Sequence, residues 1–420
     1  MSASDAIPAA RDERRVGSPR PAKSTDAQIV ALTAALCVAT AALGTIAAFA
    51  VPAGLPYDEP AHWANAVFVA EHGTLPVLGE AGVTYEGQQA PLVYVVAAGI
   101  IRVLGSGQTG FLGVRLLGVL GAVLLAWLVA RILLRTIPGQ AVAVVSGMAF
   151  VALNPMLIVM SASVQNDTWS LVAGFAAVLV ALGGPGARPW LRGLMIGALC
   201  AVAVMVKISI APVVVGLLVV LLARRRWREA LMASIVVVAG CAWWVVRNLA
   251  LYGDLTGQAG VDAAGYHFQS GTTSPFALAR EALTYLTLPD EYLRNVFAAP
   301  GWVDVLAVLV GAVLLVGAIA VLTVARDRVR PVPLAVLVVS GVASIAAWLL
   351  QVGLGWHVAF RTAYGVLPLA ALAFGSAPLW FRGRRTGWVL CAVLVLILLV
   401  LWAWTGAQVA AVGDRVMLRL

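Results

Sequence analysis

Two carboxylates stand side by side in the run Pro56-Tyr57-Asp58-Glu59-Pro60-Ala61-His62-Trp63. Pro60 suits the first turn of a helix, where its missing N–H is no loss. Asp58 or Glu59 can cap that helix, and Gly73 can end it, which predicts an amphipathic helix over about 60–72. Adjacent acids at such a place can also take a proton from a substrate hydroxyl. His62 falls one turn beyond Asp58, on the same face. Asp58, Glu59 and His62 could together hold a divalent metal, but oxygen-rich metal sites ordinarily use more ligands than these. No cofactor is therefore expected.

A second polar knot follows at Tyr85-Glu86-Gly87-Gln88-Gln89-Ala90-Pro91-Leu92, which makes Glu86 and Gln89 candidate substrate contacts. Asn166-Asp167 lies between two apolar runs, where an acid faces the inside of a helical bundle rather than lipid. It is also ordinary turn chemistry. Lys207, in Val206-Lys207-Ile208, is one of two lysines in the chain, the other being Lys23. It reads either as a snorkelling anchor or as a compact point charge kept for a ligand. Arg247-Asn248 ends another apolar run, and Tyr252-Gly253-Asp254 follows it. Trp356-His357 and Phe360-Arg361-Thr362-Ala363-Tyr364 add a further cluster. Acids near one helix start, with cations at Lys207, Arg247 and Arg361, fit a reaction that needs both a base and a phosphate clamp.

The elements that must position these residues are membrane helices. The chain has 420 residues, 62% of them hydrophobic and 11% charged. A soluble protein of this length carries roughly 25% charged residues. In lipid the backbone must satisfy itself, so long apolar runs are helices. Spans are expected at about 29–51, 110–133, 140–160, 165–183, 190–206, 208–223, 230–251, 302–325, 332–352, 358–379 and 387–408, which makes about eleven. The short apolar stretch from Pro91 to Gly105 is expected to be re-entrant or interfacial, with a twelfth span as the alternative.

Charge placement orients the bundle. Arg131, Arg135, Arg188, Arg192, Arg224 to Arg226, Arg228, Arg326, Arg328, Arg330, Arg382, Arg384 and Arg385 all fall on one side with the basic N-terminal tail. By the positive-inside rule that side is cytoplasmic. Most acids fall on the other side. The net charge of +9 is thus an orientation signal, and it calls for no nucleic acid. Residues 1–28 read as a disordered cytoplasmic tail rather than a cleaved signal peptide. The transmembrane domain covers 29–408, with outer loops over about 52–109 and 252–301, and 409–420 forms a short outer tail. The expected location is the cytoplasmic (inner) membrane, multi-pass, with the N-terminus inside and the C-terminus outside. Cys37, Cys200, Cys241 and Cys391 sit in apolar runs without metal or disulfide spacing.

These residues resemble a family. Asp58-Glu59-Pro60-Ala61-His62 resembles the Asp-Glu-Pro-Ala-His motif of a group of bacterial membrane proteins. Gln89-Ala90-Pro91-Leu92-Val93-Tyr94 is similar to its Gln-Pro-Pro-Leu-Tyr-Tyr stretch, with Ala90 in place of a proline. Asn166-Asp167, Lys207, Arg247-Asn248 and Tyr252-Gly253-Asp254 occur in the same order, and Ala299-Pro300-Gly301-Trp302 resembles its Phe-Gly-Trp turn. That group in turn resembles the GT-C glycosyltransferases, such as protein O-mannosyltransferases and the lipid A aminoarabinose transferase. The resemblance implies an all-α, GT-C-like polytopic fold and a sugar donor on a polyprenyl phosphate. The acceptor would be a glycan, lipid or protein of the cell envelope, with membrane lipids around the bundle. It implies Asp58 as base with Glu59 beside it, Lys207 and Arg247 as holders of the donor phosphate, and Asp167 as a shaper of the acceptor side. His62, Glu86, Gln89, Asn166, Asn248, Tyr252, Asp254 and Arg361 complete the expected substrate contacts. The competing class is a transporter or flippase for a lipid-linked or small polar solute. Its signature would be broken helices in paired halves with charges at mid-membrane.

Overall fold

The computed structural model describes residues 23–184, 188–266, 274–289, 291–293, 301–356, 358–381 and 383–412. Most of the N-terminal tail, the Ala299-Pro300 step, His357 and most of the C-terminal tail lie outside these. Most of the described residues are helical, with no strand among them. Seven helices are long and apolar enough to cross a membrane, or eight if one bent pair counts as a single span. Three more of the expected spans are helices of shorter apolar length: Asp167–Ala181, Ile208–Ala223 and Val308–Leu322.

The first half of the chain builds the frame. Helix α1 (Lys23–Ala50) leads into a loop and then α2 (Glu59–His72). Gly73 ends α2 at φ 70°, a left-handed conformation that suits glycine. The sequence suggested a side-chain cap at the other end. Asp58 does hold the cap position, but its side chain makes no capping bond. It turns instead toward Tyr85 and Arg361. Helix α3 (Leu92–Leu104) has 13 residues, short for a crossing, and packs on α2 and on α4 (Gln108–Thr136). Arg102 of α3 donates to the Ala70 and Val69 carbonyls at the end of α2.

A break then brings a polar turn into place. Helices α5 (Ala141–Ala152) and α6 (Pro155–Ser161) meet at 49°. Pro155 cannot continue the hydrogen-bond ladder. Asn154 accepts from Leu157 N at 3.3 Å, and Thr40 of α1 donates to the Ala152 carbonyl at 2.9 Å. The bend delivers Ser161 to Asp167 against α4. Gly118 of α4 allows this, since a Cβ there would collide with the Ser161 carbonyl. Such small-residue contacts replace the hydrophobic drive that is absent within lipid.

Helices α7 (Asp167–Ala181), α8 (Pro189–Val206), α9 (Ala211–Ala223) and α10 (Trp227–Tyr252) follow, with α8 packed between α7 and α10. Lys207 closes α8 with extended backbone. Helices α11 (Gln258–Ala263) and α12 (Pro275–Tyr285) belong to the second long loop region. Helices α13 (Gly301–Leu322), α14 (Pro331–Gly353), α15 (Leu367–Ser376) and α16 (Arg384–Val412) complete the bundle, and a 3-10 turn over Phe360–Val366 leads into α15. The protein is thus an all-α, multi-pass membrane protein whose two long loops gather at one end.

Candidate active site

Four charged side chains form a chain at the loop-bearing end. Arg361 pairs with Asp58 and also reaches Asp167, at 3.4 Å from its Oδ2. Lys207 Nζ lies 2.7 Å from the other Asp167 oxygen. Tyr85 donates to Asp58 Oδ1 at 2.8 Å. The four come from four places: the loop before α2, the start of α7, the end of α8 and the turn before α15. Each is at most 9% exposed. Lys207 therefore turns inward to an acid and does not snorkel. Arg361 also lies over the Tyr292 ring, 5.2 Å from its centroid.

Glu59 is adjacent in sequence and placed differently. Its carboxylate faces Arg115 of α4, with Nε–Oε1 at 2.8 Å and Nη2–Oε2 at 2.6 Å. Gly54 N and Val164 N donate to the same two oxygens at 2.8 and 2.9 Å. Arg115 in turn donates to the Ala48 and Val51 carbonyls at the end of α1. Both side chains are buried and paired in bidentate fashion. Glu59 thus ties together α1, α4, the first loop and the turn that carries Asp167, and it does not line the cavity described below.

Glu86 and His62 flank Asp58. Burial pushes the Glu86 carboxyl up to about 7, with the Lys207 charge pulling it back and the Asp167 charge pushing it further. Burial, aided by Lys207, holds the His62 imidazole down to about 3, so the ring is neutral. His62 Nδ1 is 2.7 Å from the Tyr94 hydroxyl. Asn166 donates to Gln89 Oε1 at 2.6 Å, which couples the second polar knot to the turn before Asp167.

These groups open onto a cavity of about 1320 Å³. Asp58, Glu86, Gln89, Lys207 and Arg361 line it, together with Tyr85 and Glu281. An apolar cavity of about 780 Å³, walled by α12 to α15, adjoins it at Leu278. A polar chamber beside an apolar groove suits a ligand with a charged head and a hydrocarbon tail.

Arg247, Asn248, Tyr252 and Asp254 do not line the polar cavity. Arg247 donates to the Pro76 carbonyl at 2.6 Å, and the Tyr252 hydroxyl accepts from Leu78 N at 3.2 Å. Both bonds pin the first long loop to the end of α10. Buried Asn248 donates to the Leu255 carbonyl at 3.4 Å. Asp254 accepts from the backbone of Thr256, Gly257, Gln258 and Ala259. Burial pushes the Asp254 carboxyl up, and these donors outweigh it and hold it below the usual range. The set positions loops; of the cations expected near a phosphate, Lys207 and Arg361 line the cavity and Arg247 does not.

Sequence reasoning missed Arg115, Glu281 and Tyr292. Arg115 had a signal, since an arginine inside an apolar span is a functional candidate by default. Glu281 accepts from Phe360 N at 3.0 Å, beside Arg361. Tyr292 had no such signal, because nothing local marks a loop aromatic that will meet a cation.

Residues 88–249 match the family model described as dolichyl-phosphate-mannose-protein mannosyltransferase. No curated protein matches the chain by sequence. Among solved structures, the fold is similar to ArnT from Cupriavidus metallidurans bound to undecaprenyl phosphate, with TM-score 0.56 and 14% identity over 89% of this chain and 63% of that one. The apo state of the same protein gives TM-score 0.57 and 16% identity, over 88% and 63%. The Archaeoglobus fulgidus oligosaccharyltransferase, in complex with zinc and sulfate, gives TM-score 0.53 and 14% identity, over 89% and 53%. The chain therefore spans less than two thirds of the length of these proteins and shares their fold.

Proposed function

We propose that this chain is a membrane glycosyltransferase that moves a sugar from a polyprenyl-phosphate donor to a cell-envelope acceptor, on the outer face of the cytoplasmic membrane. One observation carries the reading: Asp58, Lys207 and Arg361 line a cavity that adjoins an apolar groove, and Asp167 pairs with both of those cations. The likeness to a protein solved with undecaprenyl phosphate supports the donor class.

The geometry suggests how the groups share the work. A polyprenyl phosphate already carries its leaving group, so the protein need only align, deprotonate and neutralise. The donor phosphate draws Arg361 and Lys207 toward itself, and Arg361 leaves the Asp58 carboxylate. Asp58, freed of that cation, takes the proton from the acceptor hydroxyl. The acceptor oxygen bonds to the anomeric carbon as the carbon–oxygen bond to phosphate breaks. The departing phosphate keeps the electron pair, and Lys207 and Arg361 neutralise it. A single in-line displacement inverts the anomeric centre. Asp167 holds both cations in place between turnovers and shapes the acceptor side.

The test is glycolipid and cell-wall glycan profiling of a deletion strain, complemented with wild type or with Asp58→Asn. A transferase predicts a lost glycan that the wild type restores and the variant does not. Restoration by Asp58→Asn to wild-type levels would defeat the reading. Redistribution of an intact lipid-linked sugar between leaflets, with no loss of transfer, would point to a flippase instead.

A further inference from the structure

The sequence offered Asp58, Glu59 and His62 as ligands for a divalent ion. The fold commits Glu59 to Arg115 and brings Glu86 into its place. One ligand atom from each of Asp58, His62 and Glu86 lies within 4.8 Å of the other two. The three side chains are 7%, 1% and 6% exposed. Two of them end in atoms with no hydrogen-bond partner among the described residues, His62 Nε2 and Glu86 Oε2. Burial strips water from such atoms, and a ligand that bridges them restores what was lost.

The surroundings are those of a metal site. His62 Nδ1 meets the Tyr94 hydroxyl at 2.7 Å, and Tyr94 is itself buried. With the ring proton assigned to Nδ1, the lone pair on Nε2 is left for a ligand. An outer partner of this kind fixes the tautomer and aim of a metal-bound histidine. Asp58 is likewise steadied by Tyr85 and Arg361. Asp58, Glu86 and Asp167 supply three carboxylates against the two cations Lys207 and Arg361, so with Glu86 ionised this cluster carries net negative charge.

We propose that Asp58, His62 and Glu86 form a divalent-metal site in the wall of the cavity. One imidazole nitrogen and two carboxylate oxygens suit Zn²⁺ or Mn²⁺, whereas Ca²⁺ takes about 6–8 oxygen ligands. Asp58 and Glu86 line the cavity, so the ion faces it and keeps a coordination position for a phosphate or hydroxyl oxygen. The site stands apart from the transferase reading, because binding is measured with the metal alone.

The experiment uses the full chain in detergent, stripped with a chelator and titrated with zinc by calorimetry and with manganese by electron paramagnetic resonance. We expect one tight ion per chain and a rise in melting temperature on adding zinc. His62→Gln and Glu86→Gln should each weaken binding by about 10- to 100-fold. His72→Ala, at an exposed histidine outside the cluster, should bind as wild type does. Nitrogen modulation from a single imidazole on bound manganese reads the ligation directly, even where a variant folds poorly. The proposal is overturned by a wild-type chain that binds neither metal, by undiminished binding in both glutamine variants, or by bound manganese that shows no imidazole nitrogen.

Discussion

Glu59 grips Arg115 through both carboxylate oxygens, one residue away from an acid that opens onto the cavity. The pair anchors the first loop to α1, α4 and the Asp167 turn at once. Removing one partner leaves a buried charge unopposed, which destabilises by about 3–5 kcal/mol. Arg115→Ala and Glu59→Ala should therefore lower the melting temperature in detergent sharply. Asp58→Asn leaves Arg361 still paired with Asp167, so it should melt closer to wild type than either of these. Equal melting of Arg115→Ala and wild type would show that the pair anchors nothing.

Asp58 and Glu59 should also separate in kinetics. Asn at position 58 keeps the size of the side chain but accepts no proton, so the chemical step should fall by roughly 10²–10⁴. Glu59→Gln keeps most of the hydrogen bonds, and its loss of activity should follow its loss of folded protein. Turnover per folded molecule, measured once a donor and acceptor are in hand, decides between them. A fully active Asp58→Asn beside a dead, folded Glu59→Gln would transfer the base to Glu59.

Three cations were candidates for the donor phosphate, and the cavity contains two of them. Each charge-assisted contact to a phosphate contributes about 1.5–3 kcal/mol. Lys207→Ala and Arg361→Ala should each weaken binding of a polyprenyl phosphate by about ten- to a hundredfold. Arg247→Ala should leave it near wild type, because that side chain is spent on the Pro76 carbonyl. A large effect at Arg247 with none at Arg361 would mean that the phosphate sits elsewhere.

Asp254 tests the loop junction. Its carboxylate accepts the backbone donors that start α11. Loss of such a cap destabilises a helix by about 0.5–2 kcal/mol. Asp254→Ala should speed amide exchange over 254–263 and leave exchange in α2 unchanged. Protection equal to wild type across that stretch would remove the capping role.

The orientation rests on the arginine distribution. A reporter placed after Arg226 should read as cytoplasmic, and one after Gly265 as external. The same side for both would reverse the outer-face assignment and with it the access route of the donor.

By itself, the sequence determined the membrane class and the helices, because apolar length and lipid's lack of hydrogen-bond partners leave the backbone little choice. It also flagged the Asp58 run, Asn166-Asp167, Lys207 and Arg361 as polar residues at helix ends, since isolated charges stand out against apolar spans. It could not tell Asp58 from Glu59. Neighbours on a chain share a motif, but which one faces a cavity depends on the turn between them and on partners 56 and 105 residues away. Lys207 looked like an anchor or a ligand-holder until the fold set it against an acid 40 residues away. Arg247 and Arg361 looked alike as cations near helix ends. Only packing decided that one holds a loop carbonyl while the other links Asp58 to Asp167. The replacement of Glu59 by Glu86 beside His62 is likewise tertiary. Burial removes water from whatever the fold brings together, and that desolvation turns ordinary loop residues into a site.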